Sequence, residues 1–269
     1  MKNLSNENII HIKHGEIEYI QFKKLLEYKE KIKHCFTLKK LDFKGYDSYE
    51  ENKEMITKNY KALCKDLDIK YENLCRPKQT HTDNVEKIEK GDFGIYNPKF
   101  DDVDGLVTSE KEKALVLAFA DCTPLLFYDP IKNVIANTHS GWKGTYKEIG
   151  NKTVEKLVKE YNCNPKDIIC CIGPHIRKCH FEVDKDVKDM FYEKFKHLKN
   201  INNYIVKKGN KYNIDTLGIN TDNLISMGLL KDNIIDSKIC TVCESNICHS
   251  YRAEKEESGR SIALIELIK

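Results

Sequence analysis

The sequence is poor in arginine, in proline and in long apolar stretches. Of its 269 residues six are Pro, and only four of the 45 basic residues are Arg; the formal net charge is +3. The longest uninterrupted apolar stretch, residues 114–120, is too short to cross a bilayer, which argues against a membrane protein. The start of the chain has no apolar signal-peptide core and no small-residue cleavage site, so we expect a cytoplasmic protein.

The small net charge also argues against a dedicated nucleic-acid binder, which normally carries a strong basic excess on one face. Two explanations of the scarce arginine stay open. The composition is biased toward lysine, or arginine is kept where a planar, forked donor is needed. The four residues, Arg76, Arg177, Arg252 and Arg260, all lie in or near the motif segments described below.

Cysteine, in contrast, is abundant, with eleven residues. The odd number, the long chain and the missing signal favour reduced thiols over disulfides. Most cysteines fall inside apolar patterns and are expected to be buried as small hydrophobic residues. Cys122 and the group Cys240, Cys243 and Cys248 do not fit that explanation and need another one.

Apolar periodicity predicts a mixture of strands and helices without strict strand–helix–strand alternation. We therefore expect a single-domain α/β sandwich with mixed β-sheets over residues 1–269. The predicted elements are a strand or a hairpin over 8–22, helices over 53–67, 145–161, 184–195 and 215–228, and strands over 105–108, 114–120, 125–129, 134–138, 168–172 and 261–268.

Three residues near predicted strand ends are of the kinds that bind metals. His81, Cys122 and His139 supply two imidazoles and one thiolate, and a zinc site with three protein ligands keeps a fourth position for water or substrate. Their separations of 41 and 17 residues make no compact ligand motif. Taken singly, each is therefore explained more simply as a buried core residue.

The surrounding segments change that weighting because they form an ordered series. The segments are residues 79–81, 102–108, 120–124, 138–144, 173–176, 181–183 and 250–260. The series resembles the YfiH/YlmD family, also called laccase-like or multicopper polyphenol oxidase and related to mammalian FAMIN, and the resemblance covers residues 76–267. It implies a YfiH/CNF-like sandwich and a zinc ion on His81, Cys122 and His139. It also implies phosphorolysis of adenosine, inosine, guanosine and S-methyl-5'-thioadenosine, with deamination of adenosine at the same site.

The sequence departs from the family pattern at three places. Residues 35–40 lack the Arg and both Gly of the corresponding family stretch, which puts a phosphate or ribose contact there in doubt. Residues 142–144 read Trp-Lys-Gly instead of Trp-Arg-Gly, so that Lys143 offers a point charge in place of a forked donor. Residues 248–249, Cys-His, replace an aromatic pair.

The two implied reactions need different groups. Phosphorolysis needs cations to hold phosphate against the ribose, and Lys143, Arg252 and Arg260 are the candidates. Deamination needs a hydroxide, which a three-ligand zinc supplies near neutral pH. Asp121 is predicted to orient a ligand imidazole or to move a proton, unless it only caps a turn. The candidate catalytic residues are thus Asp121, Cys122 and Lys143, and the candidate contacts to nucleoside and phosphate are Gln79, Trp142, Lys143, Glu182, Arg252 and Arg260.

Two other enzyme classes stay open. A copper-dependent polyphenol oxidase normally needs a histidine-rich ligand set, whereas this chain has nine His and no His-x-His pair. Adventitious copper at the soft site is still expected, because copper outcompetes zinc at most ligands. A metal-free cysteine hydrolase would use Cys122 as nucleophile and His139 as base.

A binding module is the fourth interpretation. Cys240, Cys243, Cys248 and His249 could form a small zinc knuckle, because the Cys-x2-Cys spacing suits zinc. The adjacent pair at 248 and 249 is awkward for a tetrahedral site, and a reduced turn is the simpler interpretation. The sequence does not determine the preferred nucleoside or the oligomeric state.

Overall fold

The computed structural model describes residues 2–44, 52–95 and 97–268. Its strands are β1 (Ile9–His14), β2 (Ile17–Phe22), β3 (Ile32–Thr37), β4 (Leu74–Arg76), β5 (Val85–Lys87), β6 (Gly94–Ile95), β7 (Gly105–Thr108), β8 (Ala114–Phe119), β9 (Thr123–Asp129), β10 (Val134–Ser140), β11 (Ile169–Ile172), β12 (Glu182–Val183), β13 (Ile205–Lys208), β14 (Lys211–Ile214), β15 (Ile234–Asp236) and β16 (Ser261–Leu267). Its α-helices are α1 (Lys23–Leu26), α2 (Lys53–Leu67), α3 (Trp142–Tyr146), α4 (Ile149–Tyr161), α5 (Lys185–Phe195), α6 (Ile201–Tyr204), α7 (Thr216–Ser226) and α8 (Tyr251–Glu254).

The strands form two large mixed sheets and one small one. The first large sheet has the order β1-β2-β3-β16-β8-β4-β6, and the second has the order β15-β11-β9-β10-β7-β5. Most neighbours are antiparallel. The parallel pairs are β4 with β6 and β8, β5 with β7, and β11 with β15. The small sheet has the order β12-β14-β13. The predicted mixed-sheet α/β sandwich is confirmed.

Strand β8 shows why the apolar runs are continuous. Leu115 and Leu117 belong to the core between the two large sheets, whereas Val116 packs in a second core with Tyr60 of α2. A strand covered on both faces has apolar side chains at every position. Each fully buried side chain of this size contributes about 1.5–3 kcal/mol relative to an exposed one. Helices α4 and α7 cover the outer face of the second sheet in the same way.

The connection from β8 to β9 positions the candidate site. After Phe119 the chain crosses from the first large sheet to the second within three residues and continues as β9. Strand β9 forms an antiparallel hairpin with β10, in which Pro124 lies opposite His139. The residues before Pro124 therefore meet the end of β10, where the two sheets separate.

The structure confirms most predicted elements and corrects two of them. The hairpin over 8–22 and the helix over 53–67 are present, and Asp215 caps α7 by accepting a hydrogen bond from the Gly218 amide (3.1 Å). The helix predicted over 145–161 is instead two helices, α3 and α4, because Glu148 between them has a left-handed backbone (φ 60°) that cannot continue a right-handed helix. Asp184 precedes α5 without a side-chain capping bond and pairs with Lys211 (3.4 Å).

In the described part of the chain, no helix is both long and apolar enough to cross a membrane. The extent of the single domain, residues 1–269, stays a prediction.

Candidate metal centre and active-site pocket

A pocket of about 810 Å³ opens where the two large sheets separate. Its volume lies within the range of small-molecule sites, about 300–1,000 Å³. The described lining consists of Phe43, Lys44, Asn52, Arg76, Gln79, His81, Ala118, Ala120, Asp121, Cys122, Thr123, His139, Ser140, Trp142, Ile176, Phe181, Thr216, Tyr251, Arg252, Lys255 and Arg260. All three residues of the predicted metal set are among them.

His81, Cys122 and His139 come together in this wall, with one ligand atom of each within 4.8 Å of the others. The His81 Nε2 lies 3.8 Å from the Cys122 Sγ, and the two imidazole rings meet edge to face, with centroids 4.9 Å apart. His139 is buried, Cys122 is half-buried and His81 is exposed. The cluster is therefore anchored in the protein on one side and open to the pocket on the other.

Gly141 leaves room for this cluster. A Cβ atom at this position would lie 3.0 Å from the Cys122 Sγ and 3.0 Å from the His81 Cδ2. Any larger residue would push the ligand side chains apart. Glycine thus permits the close approach of the backbone to the three ligands.

Asp104 is the residue that orients the cluster, a role that was not predicted from the sequence. Its carboxylate is fully buried and accepts a hydrogen bond from His139 Nδ1 (2.7 Å). It also accepts hydrogen bonds from the backbone amides of Thr80 (3.2 Å), His81 (3.2 Å) and Thr82 (2.7 Å). With the Nδ1 proton held by Asp104, the Nε2 of His139 is the nitrogen available to a metal. Asp104 also holds the backbone of His81, whose φ is 65°.

The three ligand side chains strongly perturb one another in the metal-free protein. Burial raises the pKa of the Cys122 thiol, but the neighbouring His139 and His81 imidazoles outweigh it and bring the pKa to about 6. Burial lowers the pKa of His139, but Cys122 and Asp104 outweigh it and bring the pKa to about 9. Near neutral pH the sulfur is therefore a thiolate, which is the form that binds metals.

Asp121 forms its described hydrogen bonds outside the ligand cluster. Its two carboxylate oxygens accept hydrogen bonds from the Thr241 hydroxyl and from the Arg252 backbone amide (2.6 Å). Its backbone carbonyl accepts from the Ile176 amide (2.8 Å), and its φ is 79°. The carboxylate bonded to the His139 imidazole is that of Asp104, so Asp121 does not orient this ring; its predicted role in moving a proton stays a prediction. Asp121 connects the start of the Cys122 segment to Ile176, Thr241 and Arg252.

The charged groups of the pocket are mainly positive. Five cations line it, Lys44, Arg76, Arg252, Lys255 and Arg260, against the single carboxylate of Asp121 among the described lining residues. Of these, Lys44, Arg76 and Lys255 were not predicted. Such an excess of one sign in a concave site attracts anions.

Residues 41–268 of the sequence match a family model described as multi-copper polyphenol oxidoreductase laccase. Purine nucleoside phosphorylase YlmD of Bacillus subtilis (strain 168) is 35% identical over 191 residues, which cover 70% of this chain and 68% of that protein. Purine nucleoside phosphorylase YlmD of Staphylococcus aureus is 32% identical over 216 residues, covering 78% of this chain and 79% of that protein. The chain belongs to this laccase-like YfiH/YlmD family.

Solved structures agree with this assignment. The hypothetical protein YfiH of Bacillus licheniformis superposes with a TM-score of 0.81 at 25% identity, over 95% of this chain and all of that one. YlmD of Geobacillus stearothermophilus superposes with a TM-score of 0.83 at 23% identity, over the whole of both chains, which shows the shared fold. The predicted family and fold class are both confirmed.

The remaining predicted contacts of this YfiH/YlmD family member divide into two groups. Gln79, Trp142, Arg252 and Arg260 lie in the pocket wall, although both ends of the Gln79 amide bond to the backbone of Ala118 (3.0 and 2.7 Å). The other two residues are absent from the described lining. Lys143 is exposed, with its amine 5.7 Å from the centre of the Trp142 ring. Glu182 is half-buried on β12.

The alternative of a zinc knuckle on Cys240, Cys243, Cys248 and His249 fails for two of its four ligands. Cys248 is buried in the core between the sheets, and His249 Nε2 bonds to the Leu41 carbonyl oxygen (3.2 Å). Cys240 and Cys243 do lie at a cluster of potential ligands, but the partners there are Cys179 and His180. The adjacent Cys179-His180 pair lies between the motif segments 173–176 and 181–183 and was not predicted as a ligand pair.

Proposed function

We propose that this chain is a zinc-dependent purine nucleoside phosphorylase that cleaves adenosine, inosine, guanosine and S-methyl-5'-thioadenosine with phosphate. We further propose that it deaminates adenosine at the same site. The observation that carries the proposal is a cluster of two imidazoles and one thiolate in the wall of a pocket lined by five cations. The names of the Bacillus and Staphylococcus relatives support it.

The donor set of the cluster fits a zinc ion. His81, Cys122 and His139 offer nitrogen and sulfur ligands of the kinds that zinc prefers, and Asp104 supplies the outer carboxylate that fixes the ring of His139. The space kept by Gly141 suits an ion between the three side chains. When bound, zinc supplies a Lewis acid with a fourth position open to the pocket.

Arg252 and Arg260 are our candidates for holding phosphate. The Arg252 guanidinium donates hydrogen bonds to the carbonyl oxygens of His180 (2.8 Å) and Glu182 (3.2 Å). The Arg260 guanidinium donates to those of Ser258 (3.0 Å) and Gly259 (2.9 Å). A guanidinium has five N–H donors, so these bonds fix its orientation while other N–H groups can meet an anion. Fixed cations of this kind hold the attacking phosphate against the ribose.

Aromatic side chains supply an apolar surface for the purine. Trp142 is half-buried at the start of α3, Tyr251 is 44% exposed at the start of α8, and Phe181 lies against the Arg252 guanidinium at 5.9 Å. All three line the pocket. A planar base between such rings is held by stacking and burial.

The proposal is tested with zinc-loaded protein and adenosine, with and without phosphate, following adenine and inosine separately. Adenine with ribose 1-phosphate should form only when phosphate is present, whereas inosine and ammonia need only water. The His81→Ala variant is the matched control for a site without its metal. Adenine release that is independent of phosphate would contradict the phosphorylase, and the absence of inosine would remove only the deaminase.

A metal-free cysteine hydrolase is the second candidate, because Cys122, His139 and Asp104 are arranged in series as nucleophile, base and orienting carboxylate. The two candidates respond oppositely to chelation. A hydrolase keeps its activity after complete removal of metal and loses it on alkylation of Cys122. The proposed phosphorylase loses its activity on chelation and on alkylation of Cys122. Added zinc restores the activity of the chelated protein but not that of the alkylated protein.

Copper-dependent polyphenol oxidation is the third candidate, favoured by the description of the family model. Of the two potential metal clusters within the described ranges, neither gathers more than two histidines. Such clusters do not resemble the histidine-rich centres of multicopper oxidases. Oxygen uptake with a phenol by copper-loaded protein, without any phosphorolysis by the zinc form, would favour this candidate.

A further inference from the structure

A second group of metal-binding side chains lies outside the pocket lining. It joins the turn that contains Cys179 and His180 to the segment that contains Cys240 and Cys243. The two segments are held side by side where the Thr241 amide donates to the His175 carbonyl oxygen (3.0 Å). Four potential ligands from two segments thus converge, although 60 residues separate His180 from Cys240.

The separations match the edges of a tetrahedron around one zinc ion. With Zn–S near 2.3 Å and Zn–N near 2.1 Å, tetrahedral geometry requires S···S edges of about 3.8 Å and S···N edges of about 3.6 Å. The Cys179 Sγ lies 3.5 Å from the Cys240 Sγ and 3.8 Å from the Cys243 Sγ. The His180 Nδ1 lies 3.2, 3.6 and 3.5 Å from the sulfurs of Cys179, Cys240 and Cys243.

The Cys240 end of the cluster is held by a turn, in which the Glu244 amide donates to the Cys240 carbonyl oxygen (3.0 Å). Cys240 is buried, whereas Cys179 and Cys243 are exposed, so an ion can enter from solvent.

We infer that Cys179, His180, Cys240 and Cys243 bind a second zinc ion with a structural role. The complete Cys3His set leaves no open position, as in structural zinc sites, whereas the set of His81, Cys122 and His139 does leave one.

The position of the site indicates what the ion stabilises. Arg252 donates a hydrogen bond to the carbonyl oxygen of His180, and Thr241, next to Cys240, donates one to Asp121. Both Arg252 and Asp121 line the pocket. The ion would therefore fasten together two irregular segments that hold Arg252 and Asp121 in the wall of the pocket.

The test is the zinc content of protein made without a polyhistidine tag, measured by mass spectrometry after removal of loosely bound metal. We expect two zinc ions per wild-type chain. Each of Cys122→Ala and the double variant Cys179→Ser/Cys243→Ser should lose one ion. The matched control Cys248→Ala, which alters the neighbouring thiol outside the cluster, should keep both.

Cobalt loading of the wild-type protein gives an independent measurement that needs no variant. A site with three thiolates adds a strong sulfur-to-cobalt absorption to the weaker one of the single Cys122 thiolate, in two separate binding steps. The inference is overturned if the wild-type protein binds one cobalt ion with a one-thiolate spectrum. It is equally overturned if the double variant keeps both zinc ions, or if purified protein carries a disulfide among Cys179, Cys240 and Cys243 and binds no second metal after reduction.

Discussion

Replacing Asp104 by Asn tests the candidate metal centre through a residue that is not itself a ligand. The carboxylate accepts hydrogen bonds from His139 Nδ1 and the His81 amide on one oxygen, and from the Thr80 and Thr82 amides and the Thr82 hydroxyl on the other. Asn keeps one oxygen. If the oxygen of the Asn side chain takes the place of the carboxylate oxygen bonded to Thr80 and Thr82, those hydrogen bonds are kept and the Asn NH2 group faces His139. The NH2 group can bond only to an unprotonated Nδ1. His139 then carries its proton on Nε2, which removes the lone pair that would bind the metal.

The expected size of the effect follows from these bonds. Loss of an outer carboxylate of this kind costs about 10–100-fold in metal affinity. The His81 amide loses its acceptor, and a hydrogen bond to a charged group contributes about 1.5–3 kcal/mol, so we expect the unfolding free energy of the metal-free protein to fall by about that amount. The assays are competition with a fluorescent zinc chelator and urea unfolding.

Asp102→Asn is the matched control. Asp102 is exposed, binds the Thr80 hydroxyl (2.8 Å) and has φ 57°, a conformation that Asn adopts readily. This substitution should change neither the zinc affinity nor the unfolding free energy by much.

The pH dependence of the unfolding free energy tests whether Asp104 stabilises the fold as an ionised carboxylate. Burial raises the pKa of Asp104, but hydrogen bonds from His139 and Thr82 outweigh it and hold the pKa below its ordinary value. The ionised carboxylate therefore stabilises the fold above the unfolded pKa of about 4, and this stabilisation is lost as the pH falls through the lower folded value. The difference between wild type and Asp104→Asn should shrink on acidification. Equal zinc affinity in both proteins at neutral pH would refute the assigned role.

Three further predictions concern the same pocket. Gly141→Ala should lose the zinc ion of the pocket and keep the fold, because the new methyl group would lie 3.0 Å from the Cys122 sulfur. The control Gly91→Ala, whose methyl group would meet no atom within 4 Å, should keep this ion. Metal analysis measures the zinc content, and circular dichroism checks the fold. In metal-free protein whose two exposed cysteines are Ser, alkylation of Cys122 should follow an apparent pKa of about 6, and a value near 9 would contradict the imidazole contacts. Arg260→Gln should raise the KM for phosphate about 10–100-fold, because it removes one charge-assisted hydrogen bond to the anion. The KM for the nucleoside should change little. The exposed control Lys111→Gln should change neither KM.

The sequence was sufficient for the fold class because the element signals are local. Strand β8 carries apolar residues at every position, and α2 carries them at helical spacing. The break at Glu148 was not predicted, because the apolar stripe continues through it and only the backbone conformation reveals the turn. The layers of the sandwich likewise depend on which strands pair over long distances, which no local pattern specifies.

One part of the candidate site was readable from the sequence. If the strands on either side of residues 130–133 pair as a tight hairpin, residues whose numbers add to 263 lie opposite each other, as Pro124 and His139 do. In that register Cys122 lies opposite Gly141, two residues after His139. The 17-residue separation of Cys122 and His139 therefore itself indicates that they are close in space. His81 could not be placed in this way, because its segment is irregular and is held by the side chain of Asp104.

The distribution of arginine decides between the two explanations of its scarcity. Twenty-one described residues of 269 line the pocket, so random placement would put about 0.3 of the four arginines there and about 3 of the 41 lysines. Three arginines and two lysines are found. Lysine is thus no more frequent in the pocket than elsewhere, whereas arginine is concentrated in it, and the fourth, Arg177, forms a salt bridge with Asp236. A bias in composition lowers the number of arginines but does not gather them. A site that needs rigid, forked donors does, because a guanidinium can be fixed by carbonyl oxygens and still present N–H groups to an anion.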